Sequence, residues 1–240
     1  VLLAILPGGA AAPSAMAESS FSVIFDLDGT LVDTAPDLLG ALNAILTAEG
    51  HEPVVPADLR NLVGHGAKAM FEHALKRTGV EVSTDRMGAL TERFLAFYRL
   101  NIARGSRPFP GVPKTLEILA EQGMGLGVCT NKAQDLTELL LRELDLFRYF
   151  PASVFGGGST PYSKPDPRHL LEVVRALNGR RERAVLVGDS IVDINTARAA
   201  DIPVIAMSYG YTPVPVNELG ADAVVDDFAA LPEVISRLVS

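Results

Sequence analysis

Two aspartates separated by one leucine follow an apolar run: Asp26 and Asp28 stand in "FSVIFDLDGTLVDT", directly after Val23, Ile24 and Phe25. Further along come Thr130 and Asn131 in "CTNK", Lys164 in "SKPDP", and Asp189 and Asp193 in "VLVGDSIVD". Two unit charges about 4 Å apart repel by about 4 kcal/mol at an effective dielectric of about 20. If the four carboxylates converge, Lys164 alone does not offset them, still less with a phosphate added. Either some of the acids stay protonated or a hard divalent cation sits among them. Oxygen-only ligands beside a phosphate suit Mg²⁺, which takes few protein carboxylates and keeps waters.

The two acids at this spacing can divide labour. Residues i and i+2 of a strand point to one side, and a turn at Gly29 can bring Asp28 back beside Asp26. Asp26 fits a nucleophile that attacks phosphorus and forms an acyl-phosphate. Asp28 fits the acid that protonates the leaving oxygen, then the base that activates water. Thr130, Asn131 and Lys164 would hold the spread negative charge of the transferring group, with Thr30 of the same turn in support.

Such residues need a scaffold that delivers them to one edge. Short apolar runs predict strands over 21–26, 125–130, 152–155, 184–189, 204–206 and 223–225, the pattern of strands covered on both faces. Between them, helical stretches are expected over 112–121, 133–144, 167–177 and 191–200, with a closing helix over 232–239. Alternating strand and helix argue for an α/β fold, a Rossmann-like parallel sheet with helices on both faces. Ligands of such sheets bind at the carboxyl ends of the strands, where the acids, Thr130 and Asn131 fall. Between about Pro36 and Arg107 no strand is evident. Instead Leu38, Leu42, Ile45 and Leu46 form one helical stripe and Leu90, Phe94, Phe97 and Tyr98 another. The Pro-rich "RPFPGVP" then returns the chain to the sheet. The expected division is a catalytic core over 20–35 and 108–240, a helical cap domain over 36–107, and a disordered head over 1–19.

Composition narrows the partners. The 240 residues carry a formal charge of −8, which disfavours nucleic acid or an anionic membrane and leaves a small anionic substrate met by local cations. The single Cys129 excludes an internal disulfide and suits a reducing, cytoplasmic setting. The four scattered histidines offer no zinc motif. The opening "VLLAILPGGAAAPSAMA" resembles the end of a secretory signal, but it lacks a basic region. Met16 is the expected natural start, with the residues before it upstream or expression-derived.

"DLDGTLVDT", "TNK", the lysine of "SKPDP" and "GDSIVD" together resemble the four motifs of the haloacid dehalogenase superfamily, in order and at suitable intervals. The resemblance covers essentially everything after Met16. It implies a phosphate-ester hydrolase with Asp26 as nucleophile and Asp28 as general acid/base. It also implies Mg²⁺ held by the Asp26 side chain, the Asp28 main-chain carbonyl and Asp189. Asp193 would act through water or by orienting its neighbours, while Thr130 and Lys164 bind phosphate. Asp28 speaks against a dehalogenase, a branch that lacks the second acid. Within the superfamily, "LVGHGA", "PFPGV", "CTNK" and "YGYTPVPVNELGAD" resemble the phosphatases of 2-phosphoglycolate, which implies that substrate and places Gly64, His65 and Gly66 in a cap loop over the site. Where related phosphatases often carry an acid upstream of the lysine, this chain has Gly158.

The same residues admit other readings. Gly64-His65-Gly66 mimics a dinucleotide-binding G-x-G but follows a helical pattern, not a strand. Lys68 could meet a substrate carboxylate or remain solvated. Cys129 has no arginine six residues on, so it reads as a buried strand residue. "GDSIV" lacks the last glycine of a nucleophile elbow. The same acids would serve a sugar phosphatase or a phosphomutase, as a monomer or homodimer, and a silent binding protein could keep the fold.

Overall fold

A computed structural model of the chain describes residues 21–56, 67–77, 79 and 83–238. The expected head over 1–19 lies outside the described residues. Six parallel strands form one sheet in the order β5-β4-β1-β6-β7-β8. They are β1 (Ser22–Phe25), β4 (Gly125–Ala133), β5 (Val154–Gly157), β6 (Ala184–Gly188), β7 (Val204–Met207) and β8 (Ala223–Val225). Central β1 pairs with β4 on one side and β6 on the other, Ser22 opposite both Gly125 and Ala184. From β1 the chain builds outward to β4 and β5, then returns to build β6, β7 and β8. That reversal is the switch point where open α/β sheets bind ligands.

All residues of β1 and β6 are buried, and the strand period of two sorts them to opposite faces. Val23, Phe25, Val185 and Val187 join a core with Leu116, Leu119, Phe228 and Ile235. Ile24 and Leu186 face Leu170, Val173 and Ala197. The helices covering these faces are α4 (Val112–Glu121), α5 (Gln134–Glu143), α6 (Pro167–Ala176), α7 (Ile191–Ala200) and α8 (Leu231–Leu238). Asp166 caps α6 by accepting from Arg168 N, with Pro167 inside the first turn, the arrangement that leaves least backbone unsatisfied.

Between β1 and β4 lie three described helices: α1 (Ala35–Ala48), α2 (Ala67–Arg77) and α3 (Thr84–Leu100). The stripe Leu38, Leu42, Ile45 and Leu46 is buried as expected. On α3 the buried line is Leu90, Phe94 and Tyr98, whereas Phe97 is 39% exposed. At 100° per residue the buried set Leu90, Thr91, Phe94 and Tyr98 centres to one side of the expected stripe, and Phe97 falls at its edge, partly in solvent. Phe94 stacks on Phe71 of α2 at 5.2 Å between ring centroids.

Two features escape the sequence pattern. Val32–Asp33 (β2) pairs antiparallel with Arg107–Pro108 (β3), so the chain enters and leaves the helical insert side by side. The Asp37 carboxylate reinforces this junction, accepting from Gly105 N at 2.8 Å and from Ser106 N and Oγ at 2.7 Å. Strand β4 also runs beyond Thr130 to Ala133, and its partner is 154–157 rather than 152–155. Cys129 pairs with Phe155 but Ala133 with Gly157. A bulge therefore occupies Thr130 to Lys132, the device that re-aims side chains at a strand end.

Candidate active site

The site grows from the ends of β1, β4 and β6. Asp26 N donates to Val187 O at 2.9 Å, carrying the β1–β6 pairing one residue past the strand. The chain then turns tightly: the Leu27 carbonyl accepts from the N–H groups of Thr30, Leu31 and Val32. Gly29 makes the turn possible. Its φ is 84°, and a Cβ there would sit 2.4 Å from Asp189 Oδ2, so a side chain would be strained and would strike the acid. Thr30 Oγ1 donates to Asp189 Oδ1 at 2.8 Å.

Lys164 is the hub of the acids. Its ammonium lies 2.8 Å from Asp26 Oδ1 and 2.6 Å from Asp193 Oδ1. Asp193 closes a capping box at the start of α7, its Oδ2 accepting from Ser190 N at 3.1 Å and Ser190 Oγ at 2.6 Å. Asp189, just before that cap, accepts from Tyr211 N at 2.8 Å. Asp189 precedes the N-cap Ser190 and Asp193 lies in the first turn of α7, with Asp189 N donating to Asp193 Oδ2 at 3.3 Å.

The β4 bulge supplies the rest. Thr130 is buried, and its Oγ1 accepts from Lys132 N at 3.3 Å. The buried His169 has Nε2 3.2 Å from the Thr130 carbonyl oxygen; that oxygen can only accept, so Nε2 carries the proton. Burial holds the imidazole below its usual pKa. Asn131 turns its carboxamide to the Lys164 backbone, donating to Lys164 O at 3.0 Å and accepting from Lys164 N at 2.9 Å. Its side chain thus anchors the lysine loop. Gly156 leaves room for the bulge, since a Cβ there would lie 2.6 Å from Lys132 O.

Spacing alone gives Lys132 no role, yet its ammonium lies 3.0 Å from Asp28 Oδ1 and 2.6 Å from the Tyr98 hydroxyl. Tyr211 stands in "YGYTPVPVNELGAD", but the sequence does not foretell its contacts. Its hydroxyl donates to Asp33 Oδ1 at 2.6 Å and accepts from Thr34 N at 2.8 Å and Ala35 N at 3.0 Å. It joins the end of β6 to the start of the insert. Lys132 stands in "TNK", but neither that stretch nor the one around Tyr211 tells what its side chain touches; the pair Gly156-Gly157 only marks a crowded neighbour strand. Gly64, His65 and Gly66 lie outside the described residues, as does the side chain of Lys68.

The electrostatics follow from burial. Asp26 is pushed up to about 6 by desolvation; Lys164 opposes the rise, and Asp193 and Asp28 add to it. Asp189 is held well above the usual carboxylate range by burial, then by Asp193 and Asp26. Burial works against the charge on Lys164, but Asp193 and Asp26 outweigh it and hold the ammonium above the usual lysine range. For Lys132, Asp28 and Tyr98 likewise outweigh burial. With Lys132 counted, the four carboxylates face two ammonium groups instead of one. Two formal negative charges remain, the complement of one divalent cation.

The donor set fits Mg²⁺. Oxygens of Asp26, Asp189 and Asp193 all lie within 4.8 Å of one another, and all three residues are buried. Buried carboxylate oxygens with residual negative charge are hard ligands suited to such an ion.

The parallel sheet and its switch point form a Rossmann-like α/β core with an acid-lysine cluster at its edge. A family model described as haloacid dehalogenase-like hydrolase matches residues 23–207, and the chain belongs to that family. Among its relatives, a phosphoglycolate phosphatase from Agrobacterium fabrum is 46% identical over 90% of this chain and 93% of its own. Another, from Caulobacter vibrioides, is 43% identical over 91% and 92%. The crystal structure of a predicted phosphoglycolate phosphatase from Haemophilus somnus superposes with a TM-score of 0.83 at 28% identity, covering 92% of this chain and 99% of that one. Among the described residues, no helix is long and apolar enough to cross a membrane.

Proposed function

We propose that the chain is a Mg²⁺-dependent phosphomonoester hydrolase that converts 2-phosphoglycolate to glycolate and inorganic phosphate through an aspartyl-phosphate. The observation that carries this reading is the convergence of Asp26, Asp28, Asp189, Asp193 and Lys164 at the sheet's switch point. The substrate follows the names of relatives that align over nearly the whole chain.

An Asp26 oxygen attacks phosphorus; the new O–P bond forms as the ester P–O bond breaks, and a proton from Asp28 goes to the glycolate oxygen. Asp28, now a carboxylate, takes a proton from water, whose oxygen attacks the phosphoryl phosphorus and releases Asp26. Lys164 orients the Asp26 carboxylate and, with Thr130, meets the equatorial oxygens. Asn131 fixes the loop that presents Lys164. The Asp26 and Asp189 side chains and the Asp28 main-chain carbonyl would hold Mg²⁺, with Asp193 orienting Lys164 beside them. When bound, the ion supplies positive charge that neutralises the acids and the transferring group. Residues 36–107 act as a cap that excludes bulk water over the core of 20–35 and 108–240. A cytoplasmic monomer or homodimer completes the reading.

Phosphate release from a panel of phosphate esters, with Mg²⁺ and with chelator, tests it. The expected result is fastest turnover of 2-phosphoglycolate, loss with chelator, and loss of about 10⁴-fold or more in Asp26→Asn. Substantial turnover by that variant would remove the nucleophile assignment; a sugar phosphate turned over faster would replace the substrate.

A further inference from the structure

Lys132 touches two elements that the chemistry must keep in register. It projects from the β4 bulge, and its ammonium lies 3.0 and 3.4 Å from the two carboxylate oxygens of Asp28. The same nitrogen donates to the Tyr98 hydroxyl on α3 at 2.6 Å and stands 4.6 Å from the centre of that ring. The two lysines thus divide the acids: Lys164 takes Asp26 and Asp193, and Lys132 takes Asp28.

Exposure shows which partner is the guide. The Lys132 side chain is 1% exposed, against 16% for Asp28. A surface ion pair directs little, because both chains can rotate away into water. Here the ammonium is locked by packing and by the Tyr98 phenol, and the more open carboxylate is the group that needs aiming. A general acid works only within about 2.6–3.2 Å of the oxygen it protonates, so a free rotation of Asp28 would forfeit most of its effect.

We propose that Lys132 and Tyr98 are positioning residues for Asp28, so that aiming the proton-transferring carboxylate depends on α3 of the insert being seated against β4. This rests on the reading of Asp28 as the acid/base. Tyr98 is the insert's own contribution: moving α3 off β4 takes away the hydroxyl and ring that hold the ammonium.

The test compares two leaving groups in single-turnover experiments with saturating Mg²⁺. Glycolate needs a proton as it departs, whereas p-nitrophenolate does not. In Lys132→Met the phosphorylation step with 2-phosphoglycolate is expected to slow by about 100-fold, while the burst of p-nitrophenol from its phosphate ester slows by less than about 5-fold. Tyr98→Phe removes one hydroxyl and is expected to show the same selectivity at about 5-fold, with KM nearly unchanged; it carries the test if the first variant does not fold, as judged by circular dichroism. Equal slowing of both esters, or of neither, overturns the proposal. Wild-type protein and Asp28→Asn run alongside: a wild type idle on both esters, or an Asp28→Asn fully active on 2-phosphoglycolate, overturns the underlying reading instead.

Discussion

Thr30 donates its hydroxyl hydrogen bond to Oδ1 of Asp189 at 2.8 Å, tying the turn after β1 to the end of β6 across 159 positions of sequence. Asp189 therefore has one oxygen held by Thr30 and the other by Tyr211 N. Its direction is set before any ligand arrives.

Thr30→Val keeps the shape and deletes that donor. The half-saturating Mg²⁺ concentration for activity is expected to rise by about 10-fold or more, as for other residues that orient metal ligands. Urea unfolding of the same variant should show a loss of about 1–3 kcal/mol from the unsatisfied buried carboxylate. An unchanged Mg²⁺ requirement would mean that Asp189 does not serve the ion.

The placement of Asp26, Asp28, Thr130 and Asp189 was legible because a parallel sheet exports the residues that follow its apolar runs. Lys164 comes from a later loop and stood out through the resemblance carried by "SKPDP". Whatever depends on pairing between distant segments was not. Lys132 reaches Asp28 only because β4 bulges against Gly156 and Gly157 and because Tyr98 arrives from α3. Asn131 is expected from the sequence to hold phosphoryl charge, whereas its carboxamide turns to the Lys164 backbone, on a loop 33 positions away. The pairs β2 and β3 are too short to show any period.

Acidity should separate the effect of the ion from the stability of the cation-free fold. Asp26 is raised to about 6 from an unfolded value near 3.8, and Asp189 is raised as well. A raised carboxyl pKa means the folded state binds the proton more tightly. Its stabilisation is full below the unfolded value and is lost as pH climbs through the folded one. For Asp26 this is on the order of 3 kcal/mol. Mg²⁺ needs the deprotonated acids, so the rise in Tm on adding it should be at least about twice as large near pH 7.5 as near pH 5. Equal increments at both pH values would contradict a site built from these carboxylates.

Asp37 holds the two crossings of the insert together. Asp37→Ala leaves the N–H groups of Gly105 and Ser106 without their acceptor, at a cost of about 2–3 kcal/mol. Steady-state kinetics should show kcat and KM changing together, the mark of a hinge residue. A change in stability with both constants intact would confine Asp37 to a structural role.

Cys129 should be inert. It is buried on β4, and desolvation pushes its thiol up to about 12. Alkylation by iodoacetamide is expected to be at least about 100-fold slower in the native protein than in urea. Rapid labelling of the native chain would show that β4 opens readily.

The ladder between Val32 and Pro108 has an evolutionary corollary. To the catalytic sheet, the whole insert is a long hairpin whose two stems already stand next to each other, and lengthening or exchanging such an excursion costs little chain entropy. New substrate preferences can therefore be tried by grafting, without redesigning the phosphoryl chemistry beneath. The graft must satisfy one requirement: it has to bring a phenol, or its equivalent, down to the ammonium waiting on β4.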